Sequence, residues 1–488
     1  MKQNYASRLL TASLLLVLTG CIVQPRPPRT VSPPPPPPPD YSASLQTPPP
    51  LPAQEQPEVL TRGPVHEAFA EPVNVKAQAG WTAPEQPPAA IAETPPALRP
   101  AGGGVVWVPG YWSWDADRKA YIWVSGCWRV APPHRVWVPG YWARAGIGWQ
   151  WIPGFWSLAG ETEIAYLPPP PDATDLQPPG PPPSADVTWV PGCWSWQQGR
   201  YVARAGYWLN QQPGWVWVPA HYSWTPRGYV FVDGHWDRPW EQRGVLFAPV
   251  FFGPTFRARL GFAFSPSITL DLGAVSASLF AFPLYSHYYF GDYYDDSYAR
   301  FGIYPWFECT RSPFWYDPIF VYARWHNRRT DPRWEQHERE NYQHRHDFRD
   351  DRPLRTYRAQ EERHARPNEP LRRDVQLGRP LSAVIANPKA LRFERVTPAA
   401  RERIVRQTTE VHTYQEARTR WEAEPATAKS PHPAPKPPER VRLPSHPFAL
   451  STEAEGSGER APPNRPTAER TYERRGNDWK GDRKRDDR

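Results

Sequence analysis

Between Trp107 and Trp236 the apolar and polar positions repeat one phrase, aromatic-Val-Pro-Gly-aromatic-Trp, eight times. Copies begin at Trp107 (Trp107-Val108-Pro109-Gly110-Tyr111-Trp112), Trp123, Trp137, Trp151, Trp189 and Trp217, with weaker ones at Ala203 and Phe231. The unit is about 14 residues long, and a Pro-rich insert separates two sets of four copies. Turn residues lie between copies, at Asp115 to Arg118, Ala131 to His134, Arg144 to Gly148, Gln197 to Gly199, Asn210 to Gly214 and Thr225 to Gly228. Short aromatic and β-branched runs punctuated in this way predict consecutive antiparallel strands. The fold class expected is mainly β, one four-stranded meander per block, over 105–157 and 188–240. Placing the turn centres sets Trp107 opposite Cys127, and then Trp137 and Phe155. Tyr111 falls opposite Trp123, and then Tyr141 and Trp151. Both faces of such sheets are apolar, so the blocks either sandwich one face and expose an aromatic floor, or something else covers it. Pro109, Pro139, Pro153, Pro191 and Pro219 fall in mid-strand, where each removes a ladder donor. A bend or bulge is expected at every Pro-Gly.

The rest of the chain divides around these blocks. Residues 1–21 read as a targeting segment, with Lys2 and Arg8 ahead of the apolar run Leu9 to Leu18. That run is too short to remain in a bilayer as a spanning helix. Residues 22–104 are Pro-rich, including Pro33 to Pro39, and are expected to stay extended as a linker. The insert spans 158–187. Residues 241–323 stay aromatic, with alternation at Phe256 to Leu260 and Ser267 to Asp271, and read as strands and short helices packed on the repeats. The chain has 67 Pro and a net charge of +8, and all of that excess lies in a basic tail, 324–488. One helix is expected there, with Thr397 as N-cap, Pro398 in the first turn and an end near Glu422. Its thin stripe is Ile404, Thr408, Val411, Tyr414 and Trp421. Beyond Pro425 the composition predicts disorder.

Two resemblances follow from these residues. Leu18-Thr19-Gly20-Cys21 resembles the lipobox of bacterial lipoproteins. It implies lipidation of Cys21, a membrane anchor through the N-terminal lipid and, with Ile22 next, an outer-membrane address facing the periplasm or cell surface. The phrase Trp-Val-Pro-Gly-Tyr-Trp, with its trailing Ser-Trp, resembles the WxxGxW (YxWGxW) repeat proteins of bacterial envelopes. That resemblance covers 105–240 and carries no catalytic residues with it. Cys127, Cys193, His221 and His235 depart from its pattern by standing in the Tyr place.

Candidate chemistry is sparse. Cys127 and Cys193 occupy equivalent repeat positions, and a disulfide between them is one expectation, two small buried thiols the other. His221 and His235 invite a metal site with Asp233, but the expected pairing separates them by roughly 13 Å, too far for one ion. No metal and no cofactor is therefore expected. The same pairing stands His221, Asp233 and His235 on an aromatic floor with Trp189, Tyr207 and Trp217, as Trp107, Tyr111, Trp123, Trp137, Tyr141 and Trp151 would form the floor of the first block. Flat aromatic surfaces edged by polar groups suit sugar rings, although the same rings also suit a core. There is no nucleophile elbow, phosphate loop or HExxH, so an enzyme is not expected. The tail could hold an anionic envelope polymer, and an envelope address argues against nucleic acid. The reading is an anchored structural or scaffold protein in contact with envelope proteins. Its alternative is a module that binds peptidoglycan or polysaccharide.

Overall fold

A computed structural model describes residues 57–173, 175–257, 263–366, 372–386, 391–423 and 439–442. The targeting segment, Cys21 and the polyproline run lie outside the described residues, as does most of the chain beyond 423. The architecture is many small sheets, almost all antiparallel, with helices concentrated after residue 318.

The repeats do not form two four-stranded meanders. Each two consecutive copies make one long hairpin, broken at one corner in each copy into an outer and an inner ladder. In the first pair, Val105–Val108 joins Cys127–Val130 outside, and Tyr111–Asp115 joins Ala120–Val124 inside. The second pair joins Arg135–Val138 to Phe155–Leu158 and Tyr141–Ala145 to Gly148–Ile152. The third joins Val187–Val190 to Tyr207–Asn210 and Cys193–Gln197 to Arg200–Arg204. The fourth joins Val216–Val218 to His235–Asp237 and His221–Thr225 to Gly228–Val232. The expected bend at Pro109, Pro139, Pro153, Pro191 and Pro219 is present, where proline cannot donate, and the ladder breaks likewise at Ser125-Gly126, Ala205-Gly206 and Asp233-Gly234, which have no proline. Tight turns close the inner ladders: Gln198 and Gly199 have φ of 49° and 80°, both left-handed, as a two-residue hairpin turn requires.

Register differs from expectation by one residue. Trp107 faces Trp128 rather than Cys127, and Tyr111 faces Val124 while Trp112 faces Trp123. Because side chains alternate with period two, this shift brings like against like. Trp107 meets Trp128, Trp137 meets Trp156, Trp189 meets Trp208 and Trp217 meets Trp236, with ring centroids 5.1, 5.3, 5.3 and 5.0 Å apart. Steep interplanar angles make these edge-to-face or tilted contacts, worth roughly 0.5–1.5 kcal/mol each beyond their burial.

The stretch 57–104, expected as a linker, is laced through the fold. Glu58–Val59 pairs with Val250–Phe251, Gly63–Pro64 with Tyr289–Phe290, and Val73–Asn74 with Trp315–Tyr316. Thr82–Ala83 extends the second pair's inner sheet, and Leu98–Pro100 pairs with Phe393–Arg395. Some of its apolar residues reach the main core: Val65 and Phe69 sit there with Val108, Trp137 and Trp156.

The tail is more ordered than its composition suggests, with helices Pro318–Arg328, Trp334–Asp347 and Tyr357–His364. Arginines replace apolar contacts there. Arg352 binds Asp295 and Arg355 binds Asp292, so these acids serve as ion-pair partners. The helix Pro398–Glu422 has the expected bounds, with the Thr397 side chain accepting from Ala400 N. Thr408, Val411 and Tyr414 of its stripe are buried, joined by Arg418 and Glu422. Phe256 and Arg257 belong to a short helical turn rather than to the expected strand, while Ile268–Leu270 is a strand. No helix among the described residues is long and apolar enough to cross a membrane.

Candidate functional site

The Trp-x-x-Gly spacing has a direct geometric cause. In each hairpin the Trp of one copy lies flat on the glycine of the other. An added Cβ on Gly126 would sit 2.6 Å from Trp107 Cζ2, on Gly154 2.3 Å from Trp137 Cζ2, on Gly206 2.3 Å from Trp189 Cζ2, and on Gly234 2.6 Å from Trp217 Cζ2. Only glycine lets an indole approach the backbone this closely.

The two broken corners leave glycine N–H groups facing one point, and an acid from outside the repeats fills it. In the first pair Glu93 accepts from Gly110 N at 2.8 Å, Gly126 N at 3.0 Å and Trp123 Nε1 at 3.2 Å. In the second pair Glu67 accepts from Gly140 N and Gly154 N, each at 3.3 Å, and from Trp151 Nε1 at 3.1 Å. Burial pushes both carboxyls up to about 7, although three N–H donors each pull the other way. In the third pair Asp175 does this work from the insert. Its side chain accepts from Gly206 N at 3.3 Å and its carbonyl accepts from Trp189 Nε1 at 3.1 Å. The fourth pair has no such acid among the described residues. Gly234 N bonds the adjacent Asp233 side chain at 3.0 Å, and the buried Trp217 Nε1 has no acceptor among the described residues. The local sequence signal for these acids is slight: Ala68-Phe69 follows Glu67 and Ile91-Ala92 precedes Glu93, but Phe69-Ala70 precedes Glu71 in the same way.

The aromatic floor is consumed by this construction. Trp107, Tyr111, Trp123, Trp137, Tyr141, Trp151 and Trp217 are all buried. The face of His221, Asp233 and His235 is closed as well. His235 is 3% exposed and pairs with Val218, while His221 pairs with Val232 and only Asp233 is exposed. Both histidines line one cavity of about 30 Å³, together with Glu71 and Asp237. That volume holds about one water and no sugar. Burial lowers both histidines, His235 to about 3, and each Nδ1 faces its own corner carbonyl, Pro219 at 2.9 Å and Asp233 at 3.2 Å. No set of three described acid, histidine or cysteine side chains is placed to hold a metal. Cys127 is buried in the main core while Cys193 lies on the half-buried third pair, and the two are not joined by a disulfide.

Surface remains at the third pair, where Trp189, Trp194, Tyr201 and Tyr207 are half-buried. The Pro-rich insert crosses it. Tyr201 donates its phenol hydrogen to the Pro168 carbonyl, Trp194 Nε1 donates to the Asp172 carbonyl at 2.9 Å, and Trp189 Nε1 to that of Asp175. The accepting carbonyls lie four and three residues apart along the insert, and Asp175 itself is left-handed, with φ of 53°. Beside the insert, a groove of about 620 Å³ runs to the helix Pro318–Arg328, lined by Trp189, Trp208, Trp325, Arg324 and Arg328.

These features define a repeat protein in which paired Trp-rich copies form kinked hairpins, three of which receive an acid from outside the repeats. Consistently, the family model described as WXXGXW repeat (2 copies) matches residues 102–129, 136–156, 186–208 and 213–236, one match per hairpin. Comparison with curated proteins and with solved structures gives no match.

Proposed function

We propose that this protein is a non-catalytic, lipid-anchored scaffold of the bacterial cell envelope, whose third repeat pair holds extended, proline-rich chain. The observation that carries this reading is the row of side-chain donors, Tyr201, Trp194 and Trp189, on the insert carbonyls of Pro168, Asp172 and Asp175. Recognition of a polyproline strand by aromatic rings that donate to its carbonyls requires no chemistry beyond the repeat itself. The adjoining groove offers a second extended segment, from an envelope partner, the same kind of surface. A non-catalytic role is supported by the confinement of the cluster around His221 and His235 to a space for one water.

Deleting residues 168–182 should raise acrylamide quenching of tryptophan, and a synthetic 167–183 peptide added in trans should reverse it. Unchanged quenching after deletion would sink the proposal. The anchor is tested separately: Cys21→Ser should abolish palmitate labelling and release the chain from membranes. The alternative, a binder of peptidoglycan or polysaccharide, no longer draws support from the His221, Asp233 and His235 face. It keeps its own test, co-sedimentation of the chain with purified sacculi.

A further inference from the structure

We infer that the corner of the third repeat pair is an exchangeable binding site for a carboxylate, which an acidic, extended segment of a partner protein enters by displacing Asp175. The inference rests on the scaffold reading for the place of the insert, and it names what that surface selects. The chain itself shows which ligand such a corner takes. At the first and second corners one buried carboxylate collects two glycine N–H groups and an indole N–H, and Glu93 does so from the extended segment Ala92–Glu93. The third corner offers the same set of donors, Gly192 N, Gly206 N and Trp189 Nε1, but Asp175 meets it differently. Its carboxylate accepts only from Gly206 N, at 3.3 Å, while its main-chain carbonyl accepts from Trp189 Nε1 at 3.1 Å and Gly192 N at 3.4 Å. N–H groups bind a carboxylate more strongly than a neutral carbonyl, so the resident residue uses part of what the corner provides.

Three further features make this corner the one that exchanges. Asp175 is exposed, whereas Glu67 and Glu93 are each 2% exposed, and its left-handed backbone costs an L-residue energy that release would recover. The corner also lacks a wall. Trp123 and Trp151 lie against Gly110 and Gly140 in the first two pairs, and Ala203 stands at their place in the third. Charge completes the selection. Arg200 and Arg204, on the strand that leads into Gly206, form no ion pair among the described residues. Unmet positive charge beside three N–H donors favours an anion over a neutral or cationic group. An incoming acid therefore takes all three donors, as Glu93 does at the first corner, and Asp175 holds the place until it arrives.

The experiment titrates the full chain with a synthetic peptide of residues 88–98, whose one acidic side chain is Glu93, and follows tryptophan fluorescence and calorimetric heat. Saturable binding with a Kd near about 1 mM is expected. Asp175→Ala in the chain removes the resident carboxylate at an exposed position and should tighten binding about tenfold. Glu93→Gln in the peptide should weaken it about tenfold, and Trp189→Phe in the chain, which keeps a ring and removes the N–H, about fivefold. Absence of saturable binding to the Asp175→Ala chain overturns the inference. So does equal binding of the Glu and Gln peptides, or binding that Asp175→Ala leaves unchanged, because the peptide would then lie elsewhere. If Trp189→Phe does not fold by circular dichroism, the two peptides decide, since neither alters the protein. Insert deletion judges the scaffold reading separately: raised quenching together with no acid-dependent peptide binding sinks this inference alone.

Discussion

Replacing Gly126 by Ala isolates the contact on which the repeat rests. The new Cβ would lie 2.6 Å from Trp107 Cζ2, 2.7 Å from Glu93 Oε2 and 2.7 Å from the Val108 carbonyl oxygen. None of the three can yield cheaply. The indole is packed against Trp128 and Phe247, the carboxylate is held by three N–H donors, and the carbonyl belongs to the backbone. Overpacking of this kind costs about 1–3 kcal/mol. Displacing Glu93 from Gly126 N weakens a buried hydrogen bond to an acid, about 1.5–3 kcal/mol more. The total is roughly 3–5 kcal/mol, which for a domain this large corresponds to a melting temperature lower by about 5 °C or more. Gly146→Ala is the matched control. Gly146 has φ of +57° but no atom within 4 Å of an added Cβ, so only the left-handed penalty of about 1–2 kcal/mol applies. Thermal melts followed by near-UV circular dichroism compare the two directly. If Gly126→Ala melts within about 1 °C of the parent, or no lower than Gly146→Ala, then the glycine is not there to admit the ring and the explanation of Trp-x-x-Gly fails.

Three further outcomes are expected. Glu93 is held up at about 7 against an ordinary value near 4.5, so its contribution is complete at acid pH and is lost as pH rises through about 7. Melting temperature should fall between about pH 5 and pH 8, and Glu93→Gln should remove part of that slope, up to about 3 kcal/mol; an unaltered slope would refute it. Arg418 is fully buried, donating to Glu422 at 2.7 Å and to the Pro139 and Pro153 carbonyls at 2.8 and 3.1 Å. Arg418→Ala should cost about 3–5 kcal/mol in urea unfolding, and Arg418→Met with Glu422→Leu clearly less; equal losses would mean that stranding the acid is not the cause. Burial pushes the Cys127 thiol well above its ordinary value, so Cys127 should resist alkylation until the chain unfolds, and mass spectrometry of tryptic peptides prepared without reductant should find no Cys127–Cys193 bridge; either result reversed would contradict the packing.

The hydrophobic pattern revealed the repeat, its strands and its breaks, because Pro-Gly punctuation is a local signal. It also gave the helix Pro398–Glu422, whose Thr-Pro start is equally local. It missed by one residue which ring meets which, because register depends on where the turn closes. Gln198-Gly199 closes in two residues, whereas Asp115 and Ala120 leave four between them. Composition misled most at 57–104 and 324–395. There order comes from long-range partners such as Arg352 with Asp295 and Glu67 with Trp151, which no short window of sequence contains. The candidate site suffered in the same way. Equivalent repeat positions put His221 and His235 together in the alphabet, but their burial is decided by neighbours such as Glu71 that come from elsewhere in the chain.

The acids that close the corners have a consequence for the order of events in folding. Each hairpin spans fewer than thirty residues and can zip locally, whereas Glu67 reaches Trp151 across 84 residues and Glu93 reaches Trp123 across 30. A hairpin formed ahead of its acid presents open glycine amides and an indole N–H to the surroundings, and any carboxylate nearby can fill them. Since the segment with Glu67 and Glu93 precedes the repeats, it is already outside the ribosome, and across a membrane if exported, when the first hairpin emerges. An inverted order, with that segment moved behind the repeats, would leave the first two hairpins waiting for their partners and prone to capture by foreign acidic chains. The first three hairpins are thus locks whose keys are cut in advance, while the fourth, with no such acid among the described residues, closes without one.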